Sequence, residues 1–413
     1  RSFLLDVPNG TLFHFAEALI DPSLVLTWFV SQLTRSNLLI GLVAPLGDAG
    51  WFLPQVFISA RIQHLPRKMP GYIASAAVRV VAWLLLAGTV WSVDDPRVLL
   101  AGFFVLYLLA RLASGLGGLA FFDVVAKTIP ARRRGSYFAW RQLLGGLLGL
   151  NAVWILKVIL NHPGLPFPRG HALLFVLYCV AIALGMMAFS LVREPPGVAA
   201  SGPATVGEQL RRAGRLWRTN GVYRRYMLIR IALALSGMAV PFYAVYAKNV
   251  LGAPAGMVGL YVGVRLASYL ALNLPWGRLS DRRGNRLVLR LLLLGSGGTA
   301  LLALTLVGAV ALFRPQGPWL PYLALPLFFL MGAMAPAHEL VGSNFLLELV
   351  PEGERALYLG FSNTLMGIVI VISGLGGLVV DALGFTGLFA LTLGLCAGGY
   401  VFTRRLPEPR EAT

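Results

Sequence analysis

The chain has 413 residues, of which 57% are hydrophobic and only 13% are charged, and its mean hydropathy is +0.74. This composition excludes an ordinary soluble domain and predicts a polytopic membrane protein. A net charge of +18 would favour nucleic-acid binding in a soluble chain. Here most of the cations flank apolar runs, where they report topology, so we expect no nucleic-acid partner.

Twelve apolar runs follow one another along the chain, each bounded by charge, Pro or Gly. Each has about the 20 residues that a helix needs to cross a bilayer. The runs lie at about residues 11–33, 38–62, 70–93, 98–127, 135–160, 170–192, 222–248, 255–280, 286–312, 319–349, 356–380 and 383–403. We therefore predict an all-α membrane protein with twelve transmembrane helices.

A polar segment rich in Pro and Gly divides the runs into two sets of six. We predict a six-helix bundle over residues 1–192, a cytoplasmic linker over 193–221 and a second six-helix bundle over 222–413. Within the linker, residues 206–218 have the pattern of a basic helix at the membrane surface, and a plain solvated linker is an equal alternative.

The two sets of runs repeat one another. A single shift of 221 residues places several residues of the first half on identical residues of the second. The matched pairs are Leu53 with Leu274, Pro54 with Pro275, Pro130 with Pro351, Arg134 with Arg355, and Tyr137 with Tyr358. Because one offset serves two separate regions, it indicates two homologous bundles.

Lysine and arginine are distributed unevenly between the two sides of the predicted membrane. One set of loops holds only Arg35, Arg97, Arg169, Lys248 and Arg314, and the opposite segments hold most of the other cations. Positively charged loops are retained in the cytoplasm. The asymmetry therefore predicts a multi-pass protein of the inner (plasma) membrane with both termini in the cytoplasm.

A short basic stretch joins the eighth and ninth runs, from Gly277 to Arg286, and we expect it to be a loop at the cytoplasmic surface. Gly277 and Gly284 permit a tight reversal, and Asp281 can accept hydrogen bonds from the free N–H groups at the start of a neighbouring helix. The stretch resembles the signature G-x-x-x-D-R-x-G-R-R of the major facilitator superfamily. The resemblance implies a secondary transporter in which two six-helix bundles rock to give alternating access.

The same resemblance implies a cytoplasmic gate. Its members would be Gly277, Asp281, Arg282, Gly284 and Arg286, with Arg282 or Arg286 pairing with Glu348 near the end of the tenth run. The corresponding loop of the first half has Val56 and Ala60 where the second half has the glycine and the acid. Asp281 is therefore the better candidate for the latch.

Ionisable residues inside the apolar runs are costly and mark function or ion pairs. In the superfamily, helices 1, 4, 7 and 10 line the central cavity, so the resemblance implies proton or substrate roles for the charged residues of these helices. They are Glu17, Asp21, Arg111, Arg230, His338 and Glu339, with Asp48, Arg141 and Arg265 as secondary candidates. For each acid the alternative is a fixed structural ion pair. Arg79, on the peripheral third helix, is expected to be structural, with Asp48 as a candidate partner.

The fourth run contains Arg111, Gly115 and Gly117 in the spacing R-x-x-x-G-x-G, which resembles a motif of proton-coupled drug exporters. The resemblance implies that Arg111 adjusts a nearby carboxylate, Asp21 or Glu17, that takes up and releases a proton. We therefore predict proton-coupled export of lipophilic or amphiphilic small molecules.

Two features that depart from the drug-exporter pattern favour an alternative substrate class. The fifth run lacks the proline motif of drug exporters, and Arg141, Arg230 and Arg265 add cations to the interior. Both favour a transporter of an organic anion or an anionic lipid.

A polytopic membrane enzyme or a sensor would be a different class. It would need a nucleophile or metal cluster, or an appended soluble domain, and the sequence shows neither these nor a phosphate-binding loop. We expect no catalytic residue, metal or cofactor. The expected partners are a small-molecule substrate, protons and the lipid bilayer, and the protein is expected to be a monomer.

Overall fold

The computed structural model describes residues 2–62, 66–196, 214, 217–349 and 355–408. Ten helices in these ranges are long and apolar enough to cross a membrane. Two shorter apolar helices, Asn37–Leu53 and Phe361–Ser373, stand where the second and eleventh spans are predicted. The predicted all-α architecture is thus confirmed, with ten qualifying spans and two shorter apolar helices at the remaining predicted positions.

The helices follow the predicted runs closely, and several consist of two or three segments. In chain order they are α1 (Ser2–Leu19, Pro22–Leu26 and Thr27–Leu33), α2 (Asn37–Ile62), α3 (Met69–Ser92), α4 (Pro96–Thr128), α5 (Ala131–Gly149 and Asn151–Leu160), α6 (Arg169–Ser190), α7 (Gly221–Ser236, Gly237–Ala239 and Val240–Asn249), α8 (Met257–Arg283), α9 (Asn285–Phe313), α10 (Leu320–Ala324 and Leu325–Leu349), α11 (Arg355–Ser373) and α12 (Gly376–Thr403).

The first helix begins at Ser2, well before the predicted start at residue 11. The prediction was wrong here because Asn9 makes this stretch look polar. In the structure the Asn9 side chain is 4% exposed, and its amide donates to the Gly185 carbonyl at 2.8 Å and to the Tyr72 hydroxyl at 3.3 Å. A buried amide with hydrogen-bond partners is compatible with a buried helix.

The connection between α8 and α9 is shorter than predicted. The helix continues through the expected loop as far as Arg283, and only Gly284 lies between it and the next helix. Gly284 has φ +80°, a conformation that favours glycine, so its predicted role in the reversal is confirmed. The same prediction for Gly277 was wrong, because this residue lies inside α8.

A non-helical Gly384, with φ 67°, divides α12. The predicted boundary between the last two apolar runs lies immediately before this glycine. The structure places the break between the last two helices earlier, at residues 374–375, and Gly384 interrupts the helical backbone inside α12.

The contacts between residues divide the chain into two compact units. Unit 1 comprises Arg1–Arg35, Leu46–Pro203 and Pro254–Gly263, and unit 2 comprises Ser36–Pro45, Ala204–Ala253 and Val264–Thr413. Each unit therefore takes one short segment from the other half of the sequence. The predicted linker, including residues 206–218, lies largely outside the described residues, so its structure stays a prediction.

An aromatic cluster holds the centre of unit 1. The Trp83 ring of α3 lies 4.7 Å from the Tyr178 ring and 5.2 Å from the Phe175 ring, both on α6. On α4, Tyr107 stacks on Phe103 at 5.2 Å and meets Trp83 edge-on at 6.0 Å. These five side chains are at most 1% exposed, and they fix the faces of α3, α4 and α6 against one another.

Candidate functional site

Three charged side chains from three helices meet in unit 1. The Glu17 carboxylate of α1 accepts from Arg79 Nη2 of α3 at 2.6 Å and from Arg111 Nη1 of α4 at 3.2 Å. Arg79 is 2% exposed, Arg111 12% and Glu17 22%. The structure thus brings two of the predicted cavity residues, Glu17 and Arg111, into contact. One carboxylate shared by two guanidiniums leaves this cluster with a net charge of +1.

Arg79 is held by α6 as well as by Glu17. Its Nε donates to the Tyr178 hydroxyl at 2.8 Å, and its Nη2 contacts the same oxygen. Its guanidinium carbon lies 5.5 Å from the centre of the Tyr178 ring and 5.3 Å from that of Phe13. The carboxylate that pairs with Arg79 is that of Glu17, whereas Asp48 was the candidate from the sequence. Arg79 therefore belongs to the candidate site.

The glycines of the fourth-helix motif have a packing role. A Cβ atom on Gly115 would stand 2.5 Å from the Trp51 carbonyl oxygen of α2, and one on Gly117 would stand 2.5 Å from Ser75 Oγ of α3. Gly50 of α2 has the same relation to α4, since its Cβ would lie 2.7 Å from Arg111 Cβ. The small residues thus allow α2, α3 and α4 to approach closely enough to position Arg111.

Asp21 lies in a different local structure from Glu17. The helix is interrupted at this point, and the Asp21 carboxylate accepts from the backbone N–H groups of Ser23 at 2.9 Å and Leu24 at 3.1 Å. Asp21 lies outside the helical segment that holds Glu17, because that segment ends at Leu19 and Pro22 starts a separate turn. Asp21 acts as the cap of that turn.

Arg141 of α5 is a packed interior cation, 7% exposed. Its Nη2 donates to the Asn9 side-chain oxygen at 2.9 Å, and it also contacts the Tyr137 hydroxyl. Its guanidinium carbon stands 4.6 Å from the centre of the Phe121 ring. This secondary candidate thus packs where α1 and α5 meet. Asp48, another secondary candidate, is exposed on α2.

The candidates of unit 2 lie on α7, α8 and α10. On α10, His338 and Glu339 are both exposed, and the Tyr269 hydroxyl of α8 donates to the two Glu339 carboxylate oxygens at 3.1 and 3.3 Å. Arg265 of α8 is half-buried. Within the described ranges no group of three or more His, Cys, Asp or Glu side chains could hold a metal ion.

Arg230 of α7, like Arg111, has a buried guanidinium nitrogen without a hydrogen-bond partner among the described residues. In Arg230 this nitrogen is Nη1, and the guanidinium carbon lies 5.9 Å from the centre of the Tyr226 ring. Across from it, a Cβ atom on Gly342 of α10 would stand 3.7 Å from Arg230 Nη2.

The predicted gate residues surround the start of α9. The backbone N–H groups of Asn285 and Arg286 donate to the Glu408 carboxylate at 3.3 and 2.9 Å, and Arg286 Nη2 donates to the Arg404 carbonyl at 3.2 Å. Asp281 and Arg282 are exposed in the last turn of α8. The side chain of Glu348 lies outside the described residues, so its pairing stays a prediction.

A matching carboxylate caps the third helix. Glu194, after α6, accepts from the backbone N–H groups of Lys68 and Met69, each at 2.8 Å, and from Lys127 Nζ at 2.8 Å. Burial raises the pKa of Glu194, but the hydrogen bonds from Lys127 and the two N–H groups outweigh it, so the pKa lies below its ordinary value.

The matching capping roles of Glu194 and Glu408 were not predicted from the sequence. Each glutamate follows the last helix of its half, and each binds N–H groups at the start of the third helix of the same half, α3 or α9. A signal was present, because both glutamates are followed directly by a proline, Pro195 and Pro409. Proline after a helix end is common, so the signal is weak without the contacts.

Comparisons with known proteins support this architecture. Residues 226–413 match the sequence profile of the Major Facilitator Superfamily. No curated protein sequence matches the chain. The fold is similar to that of a D-xylose-proton symporter, with a TM-score of 0.74 and 16% identity over 99% of this chain and 98% of that one.

Two further solved structures are about equally similar. A mutant form of the nucleoside transporter NupG has a TM-score of 0.72 and 14% identity over 98% of this chain and 99% of that one. A bacterial homologue of the iron transporter ferroportin has a TM-score of 0.71 and 15% identity over 98% of each chain. The chain therefore has the same fold as these proteins, and residues 226–413 resemble the Major Facilitator Superfamily in sequence.

Proposed function

We propose that this protein is a proton-coupled secondary transporter that exports lipophilic or amphiphilic small molecules by alternating access. We place it, as a monomer, in the inner membrane with both termini in the cytoplasm. The fold and the match of residues 226–413 support the transport function. The distribution of Lys and Arg supports the orientation. The direction of transport rests on the resemblance of the Arg111 motif to that of drug exporters.

The observation that carries the proton coupling is the position of Glu17 between two guanidiniums inside apolar helices. A carboxylate at this depth is costly and needs a function or a partner. For Glu17 to take up a proton, its ion pairs with Arg79 and Arg111 have to weaken. Protonation is therefore linked to the relative positions of α1, α3 and α4, and such a link is what coupling requires.

We favour Glu17 over Asp21 for the proton-carrying role. Asp21 binds backbone N–H groups of its own turn, and the neutral side chain of Asn could do the same. Glu17 instead contacts two side-chain cations, so its protonation changes the charge balance of three helices. We assign Arg111 and Arg79 as positioning residues that act through Glu17.

Transport across an imposed pH gradient tests the proposal. Purified protein is reconstituted into liposomes with an acidic lumen, and the uptake of ethidium, a lipophilic cation, and of carboxyfluorescein, an anion, is followed by fluorescence. An antiporter moves its substrate against the proton flow, so one of these compounds should accumulate inside. Collapsing the gradient with a protonophore should stop the accumulation.

Two variants identify the coupling residue. Glu17→Gln should abolish gradient-driven accumulation, whereas Asp94→Asn, which removes a carboxylate from an exposed turn, should behave as the wild type. Because Glu17→Gln leaves buried Arg79 without its carboxylate, its folding is checked by size-exclusion chromatography, and Glu17→Asp serves as a second variant. Gradient-driven accumulation by Glu17→Gln at the wild-type rate would exclude Glu17 as the proton carrier.

A second candidate function is transport of an organic anion or an anionic lipid. The cluster of Glu17, Arg79 and Arg111 has a net charge of +1, and Arg230 adds another cation in unit 2. Accumulation of carboxyfluorescein but not of ethidium would favour this candidate.

A further inference from the structure

Arg230 differs from three other interior arginines because it has no carboxylate or amide partner among the described residues. Arg79 and Arg111 pair with Glu17, and Arg141 donates to Asn9. In the part of the chain that the structure describes, Arg230 forms no ion pair with Asp or Glu and its buried Nη1 has no hydrogen-bond partner. A buried guanidinium donor without an acceptor is unfavourable, so an acceptor from outside the chain would stabilise this arrangement.

The support beneath Arg230 is rigid. Tyr226, one helical turn before it, is fully buried, stacks on Phe345 with ring centres 4.7 Å apart and donates its hydroxyl to the Val341 carbonyl at 2.8 Å. The guanidinium lies over this fixed ring at 5.9 Å. Its position is therefore set before any ligand arrives, which lowers the entropic cost of binding.

The guanidinium also approaches α10 at Gly342. Gly342 leaves space there, since even an added Cβ would remain 3.7 Å from Arg230 Nη2. His338 precedes Gly342 by four residues, so the two lie on one helical face. The His338 side chain is exposed, so its imidazole is accessible from this face of α10. An imidazole has an N–H to donate in either protonation state.

We propose that Arg230 and His338 form an anion-binding site within unit 2, and that it takes the carboxylate or phosphate group of an organic anion. The guanidinium fork of Arg230 matches the two oxygens of such a group, and the imidazole N–H of His338 supplies a further donor from α10. This assignment rests on the proposed transport function, because the bound anion would be the head group of the transported molecule. It narrows the substrate class to amphiphilic anions.

Binding measurements on the purified full-length protein test the site. The melting temperature in an uncharged detergent is recorded against increasing concentrations of benzoate, phenyl phosphate and the neutral analogue benzamide. A ligand that binds only the folded state raises the melting temperature as its concentration rises. We expect both anions to raise it and benzamide to leave it unchanged. An equal response to benzamide would overturn the proposal.

Variants locate the binding. Arg230→Gln should weaken the binding of benzoate about 10- to 100-fold, the effect of removing charge-assisted hydrogen bonds. Arg225→Gln removes the same charge from the exposed start of α7, where it donates to the Arg405 carbonyl, and should bind as the wild type. Gly342→Leu fills the space beside the guanidinium while keeping the charge, and should also lose binding. Wild-type affinity in both Arg230→Gln and Gly342→Leu would refute the site.

A second measurement distinguishes a soluble anion from a lipid head group. The protein is placed in phosphatidylcholine nanodiscs with or without phosphatidylglycerol. For a soluble ligand, benzoate raises the melting temperature equally in both. If the ligand is a lipid head group, phosphatidylglycerol raises the melting temperature without added benzoate, and it does so only when Arg230 is present. Either result supports the anion site, and the absence of both contradicts it.

The outcome is separable from that of the transport assay. Arg230-dependent binding of benzoate without gradient-driven transport would retain the site and reject proton coupling. Gradient-driven transport of ethidium with no Arg230-dependent anion binding would retain proton coupling and reject the anion site.

Discussion

Glu194 connects the end of the first six helices to the start of α3, and removing its carboxylate should destabilise the protein. The side chain is 2% exposed and accepts from two backbone N–H groups and from Lys127. Loss of an N-terminal cap costs about 1 kcal/mol, and loss of a partly buried charge at a helix N-terminus costs up to about 2 kcal/mol. Lys127 would still pair with Asp123 at 2.6 Å, so losing its ion pair with Glu194 adds only about 0.5–1 kcal/mol.

We therefore expect Glu194→Ala to lower the free energy of unfolding by about 2–4 kcal/mol. For a chain of this length, that corresponds to a fall in melting temperature of about 2–5 °C. Glu408→Ala removes the matching cap of α9, which has no lysine contact among the described residues, and should cost about 1 kcal/mol less. Arg193→Ala, an exposed neighbour, is the control and should change little.

The effect of Glu194 should depend on pH. The pKa of this carboxyl is lower in the folded protein than its ordinary value of about 4.3. A lowered folded pKa stabilises the protein above the unfolded pKa, and the contribution is lost as the pH falls through the folded pKa. The difference between wild type and Glu194→Ala should thus be constant from about pH 7 to 5 and shrink below about pH 4. A difference that persists unchanged in acid, or that equals that of Arg193→Ala, would refute the reasoning.

Three further predictions concern predicted site residues and their neighbours. Gly284→Ala forces an alanine into φ +80° against the carboxylate that caps α9, and it should lower the free energy of unfolding by about 1–2 kcal/mol. Gly277→Ala lies inside a helix with open space around it and should be neutral or slightly stabilising; the melting temperatures of the two variants test this. Tyr178→Phe removes the acceptor of Arg79 Nε and should cost about 1–3 kcal/mol in the same measurement. Asp21→Ala should cost about 1 kcal/mol while Asp21→Asn should be near neutral and keep gradient-driven transport; a complete loss of transport in Asp21→Asn with normal stability would contradict its role as a cap.

Much of the fold was readable from the sequence because the bilayer imposes a local rule. A spanning segment must satisfy its backbone hydrogen bonds internally and present about 20 apolar residues, so each helix is visible in its own stretch of chain. The third helix shows this well, because the predicted run of residues 70–93 matches α3, Met69–Ser92. Asn9 shows the limit of the rule, because its hydrogen-bond partners lie on other helices.

Individual members of the candidate site were also visible in the sequence, since a charge inside an apolar run is unusual by itself. Glu17 and Arg111 were both predicted, and the structure brings them together. The third member was not assigned to them. Arg79 is 62 residues from Glu17, and only the packing of α1, α3 and α6 decides that its guanidinium reaches that carboxylate.

The sequence by itself therefore determined the approximate position and order of the helices and the residues whose charge needs an explanation. The tertiary structure decided which charges are neutralised and by what: Glu17 by two arginines, the starts of α3 and α9 by Glu194 and Glu408. The physical reason is that hydropathy depends on each residue and its near neighbours. An ion pair or a helix cap depends instead on the rotation and approach of helices that lie far apart in the chain.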